Sequence, residues 1–273
     1  MAVMSNHTLV LGGTGKTGRR VVERLRAQGV HVRVGSRSLP FDWNDAKTWD
    51  GALDGVSAVY VSFFPDLTIE GAPERVGAFA RLAAARGVRR LVLLSGRGES
   101  EAQRAERELI AAGTEWTVVR CSWFAQNFSE AFMLEGVLAG ELALPAGDVP
   151  EPFVDVEDIA DVATAALTQD GHHGRIYELT GPRALTFEQV AAELTAATGH
   201  RVRFVPVPAD AFHAGMLEAG VSETEAELVS FLFREVLDGR NAEPQDGVQQ
   251  ALGRAPRDFG EYARATAAAG VWA

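Results

Sequence analysis

Three glycines, Gly12, Gly15 and Gly18, stand between a short apolar run at 8–11 and a helical pattern at 21–26. Glycine permits a tight turn and lets an anionic group approach the backbone, because no side chain stands in the way. A helix that starts there directs N–H groups and the positive end of its dipole at such an anion. The spacing predicts a turn that binds the pyrophosphate of a dinucleotide, and an ordinary glycine-rich turn is the alternative.

The residues after the second apolar run, at 30–34, indicate which dinucleotide this turn would bind. In dinucleotide folds an acidic residue about 20 positions after the glycines binds the ribose 2′-hydroxyl, whereas an arginine there accommodates a 2′-phosphate. That place falls on Arg37, with Ser36 beside it, and the next acidic residue is Asp42. The sequence therefore favours NADP(H) over NAD(H). The alternative is that Arg37 is a solvated loop cation.

Further candidate residues follow the ends of predicted strands. Phe63 and Phe64 come after the third strand, and Ser95 ends the fourth. Ligands of open α/β sheets bind at the carboxyl ends of the strands. We therefore predict that Phe63 and Phe64 line the cofactor site, that Ser95 orients the bound groups by hydrogen bonding, and that Asp42 lies near the adenine. Core packing is an equal alternative for the two phenylalanines.

Glu106, on the helix predicted after Ser95, is a second candidate catalytic residue for acid or electrostatic work. A solvated carboxylate between Arg104 and Arg107 is the interpretation that the sequence favours for it. The adjacent His172 and His173 have no third ligand at a recognisable spacing, so no metal site is predicted.

Strand patterns alternate with helical patterns that end at glycines, and the predicted strands are 8–11, 30–34, 57–62, 90–94 and 115–119. This alternation is typical of an α/β fold with a doubly wound parallel sheet, the Rossmann type. We predict a nucleotide-binding domain over 1–150, to which strands return at about 153–180. A smaller, mostly helical substrate lobe is predicted for 181–273.

Composition excludes several classes of protein. The chain of 273 residues is 47% hydrophobic and 23% charged, which is typical of soluble proteins, and no run reaches the ~18 apolar residues of a membrane span. A net charge of −11 argues against nucleic-acid binding. The single cysteine, Cys121, forms no internal disulfide, and no secretory leader pattern is visible, so a cytoplasmic location is expected.

Nearly the whole chain resembles the NmrA-like branch of the atypical short-chain dehydrogenases/reductases, and most of all the bacterial relatives of the ergot-alkaloid reductases. The resemblance is carried by Gly-Gly-Thr-Gly-Lys-Thr-Gly at 12–18, Ser-Arg at 36–37, Val-Arg-Arg-Leu-Val-Leu-Leu-Ser at 88–95, Trp-Thr-Val-Val-Arg at 116–120, Trp-Phe-Ala-Gln-Asn-Phe at 123–128 and Phe-Val-Asp-Val-Glu-Asp-Ile-Ala at 153–160.

The resemblance implies NADP(H) as cofactor and assigns roles to individual residues. Ser36 and Arg37 would bind the 2′-phosphate, and Ser95 would stand near the nicotinamide. The pyrophosphate would be held by Gly12, Thr14, Gly15, Lys16, Thr17 and Gly18, and the substrate side would be lined by Trp123, Phe124, Asn127 and Phe128.

The chain lacks the catalytic pair of ordinary short-chain dehydrogenases, a tyrosine followed four positions later by a lysine. Its tyrosines are Tyr60, Tyr177 and Tyr262, and no lysine stands four positions after any of them. Hydride transfer to an already activated acceptor needs little beyond positioning, because the reactive atom belongs to the cofactor. This favours iminium, quinone or enone acceptors over simple ketones.

Three hypotheses follow. The first is an NADPH-dependent reductase of a small electrophile, aromatic or heterocyclic, which acts as a monomer or homodimer, with a role in secondary metabolism. The second is a non-catalytic NADP(H)-sensing regulator that acts through a partner protein. The third is a nucleotide-binding enzyme with a non-redox step.

Overall fold

The structure is a computed structural model that describes residues 7–36 and 40–273. Its strands are β1 His7–Leu11, β2 His31–Gly35, β3 Val56–Val61, β4 Arg90–Gly96, β5 Glu115–Cys121, β6 Glu141–Leu144, β7 Arg175–Leu179 and β8 Arg203–Pro206.

Its α-helices are α1 Lys16–Ala27, α2 Trp49–Ala52, α3 Ala72–Ala85, α4 Ser100–Ile110, α5 Asn127–Glu130, α6 Leu134–Ala139, α7 Val156–Thr168, α8 Phe187–Thr198, α9 Ala209–Glu218, α10 Glu223–Phe231, α11 Gly247–Leu252 and α12 Phe259–Ala268. A 3₁₀ turn covers Ala46–Thr48, and a π-helical segment covers Leu232–Val236. Among the described residues, none of the helices is long and apolar enough to cross a membrane.

The chain forms two compact units. The first unit runs to Cys121 and adds Val156–Leu179 and Gly247–Arg254, whereas the second consists of Ser122–Asp155, Thr180–Asp246 and Ala255–Ala273. This division differs from the predicted 1–150 and 181–273, because the chain leaves the large sheet at the end of β5 and comes back only with α7 and β7.

The first unit is built on a six-stranded, all-parallel sheet with the order β2-β1-β3-β4-β5-β7. Leu9, Val10 and Leu11 of β1 are fully buried, as expected for a central strand covered by helices on both faces. The strand order reverses between β1 and β3, and ligands of such sheets bind at the carboxyl ends beside this reversal. The predicted Rossmann-type parallel sheet is confirmed.

Helix α1 holds the glycine turn against the sheet. It buries Val21, Val22 and Leu25, which recur at helical spacing, while its polar face carries arginines. Arg24 forms ion pairs of 2.6 Å with Glu157 and with Asp161, both on α7. Apolar burial on one face and these ion pairs on the other therefore hold α1 in place beside α7.

The second unit has its own aromatic core and a two-stranded parallel ladder between β6 and β8. Helix α8 begins with a capping box in which Thr186 and Gln189 exchange side-chain hydrogen bonds with each other's backbone. Strands were predicted to return to the large sheet at about 153–180, but 153–155 form no strand, because Val154 makes only an isolated bridge with Phe124 in this unit. The sequence predicts an extended segment at 202–207, which contains β8, but the pairing of β8 with β6 was not predicted.

Candidate functional site

The turn after β1 has the backbone geometry that its glycines predict. Gly12 has a φ of +64°, and a Cβ at Gly18 would collide with the carbonyl oxygen of Gly12. The Gly15 N–H donates to that same oxygen at 2.9 Å, and the Gly12 N–H donates to Gly35 of β2 at 2.8 Å. Helix α1 thus starts so close to the turn that only glycine fits, which is the fit that a pyrophosphate cradle requires.

The side chains of this turn point in different directions. Thr14 and Gly15 are exposed, and Lys16 is half-buried. Thr17 is buried instead, and its hydroxyl accepts a 3.0 Å hydrogen bond from the phenol of Tyr60 on β3. Burial raises the pKa of the Tyr60 phenol. The side chain of Thr17 therefore anchors α1 to the sheet, and only the backbone of this residue is left for the predicted pyrophosphate contact.

A groove of about 620 Å³ lies beside the turn, between α1 and β2. Gly13, Thr14 and Val34 line it, together with Arg19 and Arg26, and Glu23 is the one acidic residue in its lining. Ser36, which directly follows β2, is half-buried. Arg37 lies outside the residues that the structure describes, so its predicted 2′-phosphate contact stays a prediction.

Asp42, Phe63 and Phe64 have separate roles. The Asp42 carboxylate accepts the Asn44 N–H at 2.9 Å, and its carbonyl oxygen accepts the indole N–H of Trp49 at 2.8 Å, so this residue stabilises a turn. Phe63 is 7% exposed and its ring lies 4.8 Å from that of Trp43, within the core. Phe64 is 53% exposed. Of the two phenylalanines, only Phe64 presents a ring to the surface of this unit.

The two candidate catalytic residues contact each other. The Ser95 hydroxyl, at the end of β4, donates to the Glu106 carboxylate at 2.6 Å. Arg120 of β5 donates to both oxygens of that carboxylate, at 2.9 and 2.5 Å, and to Glu178 of β7 at 2.7 Å. Glu106 is only 3% exposed, so the interpretation as a solvated carboxylate is wrong.

Sequence reasoning missed Arg120 and Glu178. The signal was present, because both residues occupy strands of a sheet that is buried on both faces, where charged side chains are paired. Strand register places Ser95 opposite Arg120, and Arg120 opposite Glu178. These partners raise the pKa of the Arg120 guanidinium, with the Glu106 hydrogen bond as the largest cause. Arg120 is therefore the charged partner that holds the Glu106 carboxylate in place.

Two further acids at this edge of the sheet, Glu99 and Asp66, were also missed. The Glu99 carboxylate folds back onto the end of β4, where a Cβ at Gly96 would collide with it. Asp66, in the loop after β3, accepts the N–H and the hydroxyl of Thr68 at 2.8 and 2.7 Å. Over residues 7–36 and 40–273, no group of three or more metal-ligating side chains is gathered at one point.

The predicted substrate-side residues belong to the second unit. Phe128 is fully buried, with its ring 5.5 Å from those of Phe153 and Phe259. Trp123 is 9% exposed and packs at 4.8 Å on Phe233 of the π-helical segment. Phe124 and Asn127 are half-buried. The structure thus gives Phe128 a packing position and leaves parts of Phe124 and Asn127 accessible, while their contact with substrate stays a prediction.

Known proteins resemble the chain over almost its whole length. It is 31% identical to the NAD(P)H azoreductase of Xenophilus azovorans, over 96% of the chain and 98% of that protein. It is also 31% identical to the agroclavine dehydrogenase of Claviceps fusiformis, over 93% of the chain and 95% of that protein. No protein-family profile matches the chain.

Two solved structures share the fold. The triphenylmethane reductase of Citrobacter sp., solved with NADP(H), superposes with a TM-score of 0.78 at 22% identity, over 96% of this chain and 99% of that one. The negative transcriptional regulator NmrA superposes with a TM-score of 0.67 at 18% identity, over 97% of each chain. The chain therefore belongs to the NmrA-like branch of the atypical short-chain dehydrogenases/reductases, a family of NAD(P)H-dependent oxidoreductases.

Proposed function

We propose that this protein is an NADPH-dependent reductase that transfers a hydride to a small activated electrophile. The observation that carries the proposal is the glycine turn, in which the Gly12 carbonyl and Gly18 approach so closely that no side chain fits. Relatives with 31% identity across almost the full length are an azoreductase that uses NAD(P)H and a clavine dehydrogenase. The geometry of the glycine turn and the known relatives thus both favour an NADPH-dependent reductase.

Binding of the cofactor is assigned to two places in the first unit. The backbone at Gly12–Gly18 holds the pyrophosphate, with Thr14 and Lys16 at its exposed side, and the positive end of the α1 dipole favours this anion. Ser36 and Arg37 hold the 2′-phosphate, and Ser36 directly follows β2, the strand that contributes Val34 to the groove that Arg19 and Arg26 line. Bound NADPH supplies the hydride from its nicotinamide ring.

Ser95 orients the reacting groups. Its hydroxyl hydrogen is donated to Glu106, so its oxygen is left as a hydrogen-bond acceptor at the carboxyl end of β4. An amide or hydroxyl donor on the bound molecules can be fixed by that oxygen. Glu106 and Arg120 act through Ser95 and are positioning residues.

The substrate we propose is a small aromatic or heterocyclic electrophile, such as a quinone, an enone or an iminium ion, in secondary metabolism. The half-buried Phe124 and Asn127 are the preferred contacts, with Trp123 and Phe128 supporting them from the core. A cytoplasmic monomer or homodimer without nucleic-acid partners is in keeping with the single cysteine and the charge of −11.

Two measurements test the proposal. NADPH binding is measured by the change in intrinsic fluorescence, and NADPH oxidation is measured with a panel of quinones, enones, azo dyes and iminium ions. We expect binding tighter for NADPH than for NADH, and turnover with at least one acceptor class. Tight binding without turnover by any acceptor would favour the nucleotide-sensing regulator. Failure to bind either nucleotide would contradict the role given to Gly12–Gly18.

A further inference from the structure

Reduction of a quinone, an enone or an azo bond needs a proton as well as a hydride. Neither candidate catalytic residue is placed to supply that proton. The Ser95 hydroxyl hydrogen is directed at Glu106, and both oxygens of the Glu106 carboxylate accept hydrogen bonds from Arg120. The proton has to come from another group at the same edge of the sheet.

Glu99 is placed at that edge. It directly precedes α4, yet its side chain accepts no hydrogen bond from the first turn of the helix. The carboxylate turns back onto Gly96 instead, the last residue of β4, which pairs in register with Cys121 at the end of β5. Within the described part of the chain, no side chain forms an ion pair or hydrogen bond with this carboxylate.

The surroundings of Glu99 favour its neutral form. Burial is the main cause that raises the pKa of this carboxyl well above its ordinary value, and the negative charges of Asp66 and Glu106 raise it further. The groups that face it are Asp66 in the loop after β3, Glu106 on α4 and Cys121 on β5, and burial raises the pKa of Asp66 and of the Cys121 thiol as well. A carboxyl group whose pKa is raised in this way is a suitable general acid.

We propose that Glu99 is the proton donor of this reductase, an inference that rests on the proposed function. An enone acceptor gains a hydride from NADPH at its β-carbon, the π pair of its C=C bond forms the C=C bond of the enolate, and the π pair of its C=O bond moves to the carbonyl oxygen. The O–H bond of Glu99 then breaks, its proton goes to the enolate, and the carboxylate regains a proton from water. The acceptor is reduced by two electrons, and NADPH is oxidised to NADP⁺.

This role separates two classes of acceptor. Quinones, enones and azo compounds need both the hydride and the proton. Cationic acceptors, such as an iminium ion or a triarylmethane dye cation, are neutralised by the hydride alone and need no proton. Glu99 is therefore required for the first class and dispensable for the second.

The test is the variant Glu99→Gln, which keeps the shape of the side chain but has no acidic proton. With a naphthoquinone as acceptor, we expect kcat to fall about 100-fold, within the range for loss of a general acid. With a cationic triarylmethane dye, we expect kcat to stay within about twofold of the wild type, because that reduction needs no proton. Glu101→Gln, two positions along on α4 and paired with Arg104, is the matched control and leaves both rates unchanged.

A second measurement needs neither cofactor nor turnover. Because the folded state holds the Glu99 proton more tightly than the unfolded chain does, the free energy of unfolding falls as the pH rises above the ordinary glutamate pKa. Glu99→Gln removes this loss, so its stability relative to the wild type increases with pH, and Glu101→Gln shows no such trend. Infrared difference spectra of the free protein are expected to show a carboxylic-acid band that only Glu99→Gln removes.

The outcomes are distinguishable. Equal loss of both activities in Glu99→Gln, or an unchanged rate with the quinone, overturns the role of Glu99 while the reductase activity stands. Loss with the dye alone also overturns it, because that result assigns Glu99 an ionised, charge-stabilising role. A wild-type protein that binds NADPH but reduces neither these two acceptors nor any other acceptor of the panel overturns the proposed function itself.

Discussion

The hydroxyl of Ser95 donates a 2.6 Å hydrogen bond to the carboxylate of Glu106, inside the first unit and shielded from solvent. Arg120 binds the same carboxylate through two nitrogen atoms. A serine that ends a strand at the ligand edge is thereby fixed as a hydrogen-bond acceptor. In the sequence, Ser95 and Glu106 are only two polar residues separated by eleven positions. In the structure they form a defined hydrogen-bonded pair.

Replacing Ser95 by alanine should impair turnover more than nucleotide binding. The variant loses the hydrogen-bond acceptor that orients the reacting groups, and Glu106 loses the hydrogen bond that it accepts from Ser95. We expect kcat to fall roughly tenfold, equivalent to about 1.4 kcal/mol of lost orientation. Steady-state kinetics with the best acceptor of the panel measure this, and an unchanged kcat would remove Ser95 from the site.

Glu106→Gln should destabilise the fold. The substitution removes one of the two carboxylate partners of Arg120. Breaking a buried ion pair costs about 3 kcal/mol of unfolding free energy. Urea unfolding measures the effect. Glu108→Gln, on the same helix, serves as control because its pair with Arg81 is exposed and should cost less than about 1 kcal/mol. Equal losses of unfolding free energy in the two variants would contradict the burial of the pair between Glu106 and Arg120.

Gly15→Val should weaken NADPH binding. A Cβ at Gly15 would lie 3.3 Å from the Gly12 carbonyl oxygen, and the larger side chain would cover the backbone that the pyrophosphate approaches. We expect the Kd to rise more than about tenfold. Gly51→Ala is the control, since its Cβ would meet open space. Undiminished binding by a folded Gly15→Val protein would place the pyrophosphate elsewhere.

Arg37→Asp should reverse the nucleotide preference. The guanidinium is predicted to bind the 2′-phosphate, whereas an aspartate there favours the ribose 2′-hydroxyl and repels the phosphate. The ratio of the Kd values for NADPH and NADH, measured by fluorescence titration, is expected to shift by at least about tenfold towards NADH. An unchanged ratio would make Arg37 a solvated loop cation.

The variants Phe128→Ala and Phe64→Ala compare the stability effect of a core position with that of an exposed position. Phe128 is fully buried among Phe153, Phe187 and Phe259, so its removal is expected to cost about 3–5 kcal/mol of unfolding free energy. Phe64 is mostly exposed, and its removal should change stability by less than about 0.5 kcal/mol. Thermal or urea unfolding compares the two. A small cost for Phe128→Ala would contradict its place in the core.

The large sheet was predictable from sequence because its signals are local. Apolar runs such as those ending at Leu11 and Val61 alternate with helical patterns, and glycines mark the stops, as at Gly29, Gly87 and Gly113. The glycine turn was predictable for the same reason. Each of these features depends on the residue types within a few positions of one another.

The features that the sequence did not predict depend on contacts between segments that are distant along the chain. Glu141 pairs with Arg203 in a four-residue parallel ladder, which is too short to leave a periodic pattern. Glu106 meets Arg120 only because α4 packs on β4 and β5, and from the sequence alone its nearer neighbours Arg104 and Arg107 seemed the partners. The position of Glu99 against Gly96 depends on how one side chain turns at the start of α4.

Hydride transfer itself is the central claim, and deuterium tracing tests it most directly. NADPH carrying deuterium at C4, prepared as each of its two stereoisomers, is incubated with the protein and an acceptor from the active class. Mass spectrometry of the product is expected to show deuterium from one stereoisomer and not from the other. A protein that binds NADPH but transfers deuterium from neither stereoisomer to any acceptor would contradict the assignment as a reductase.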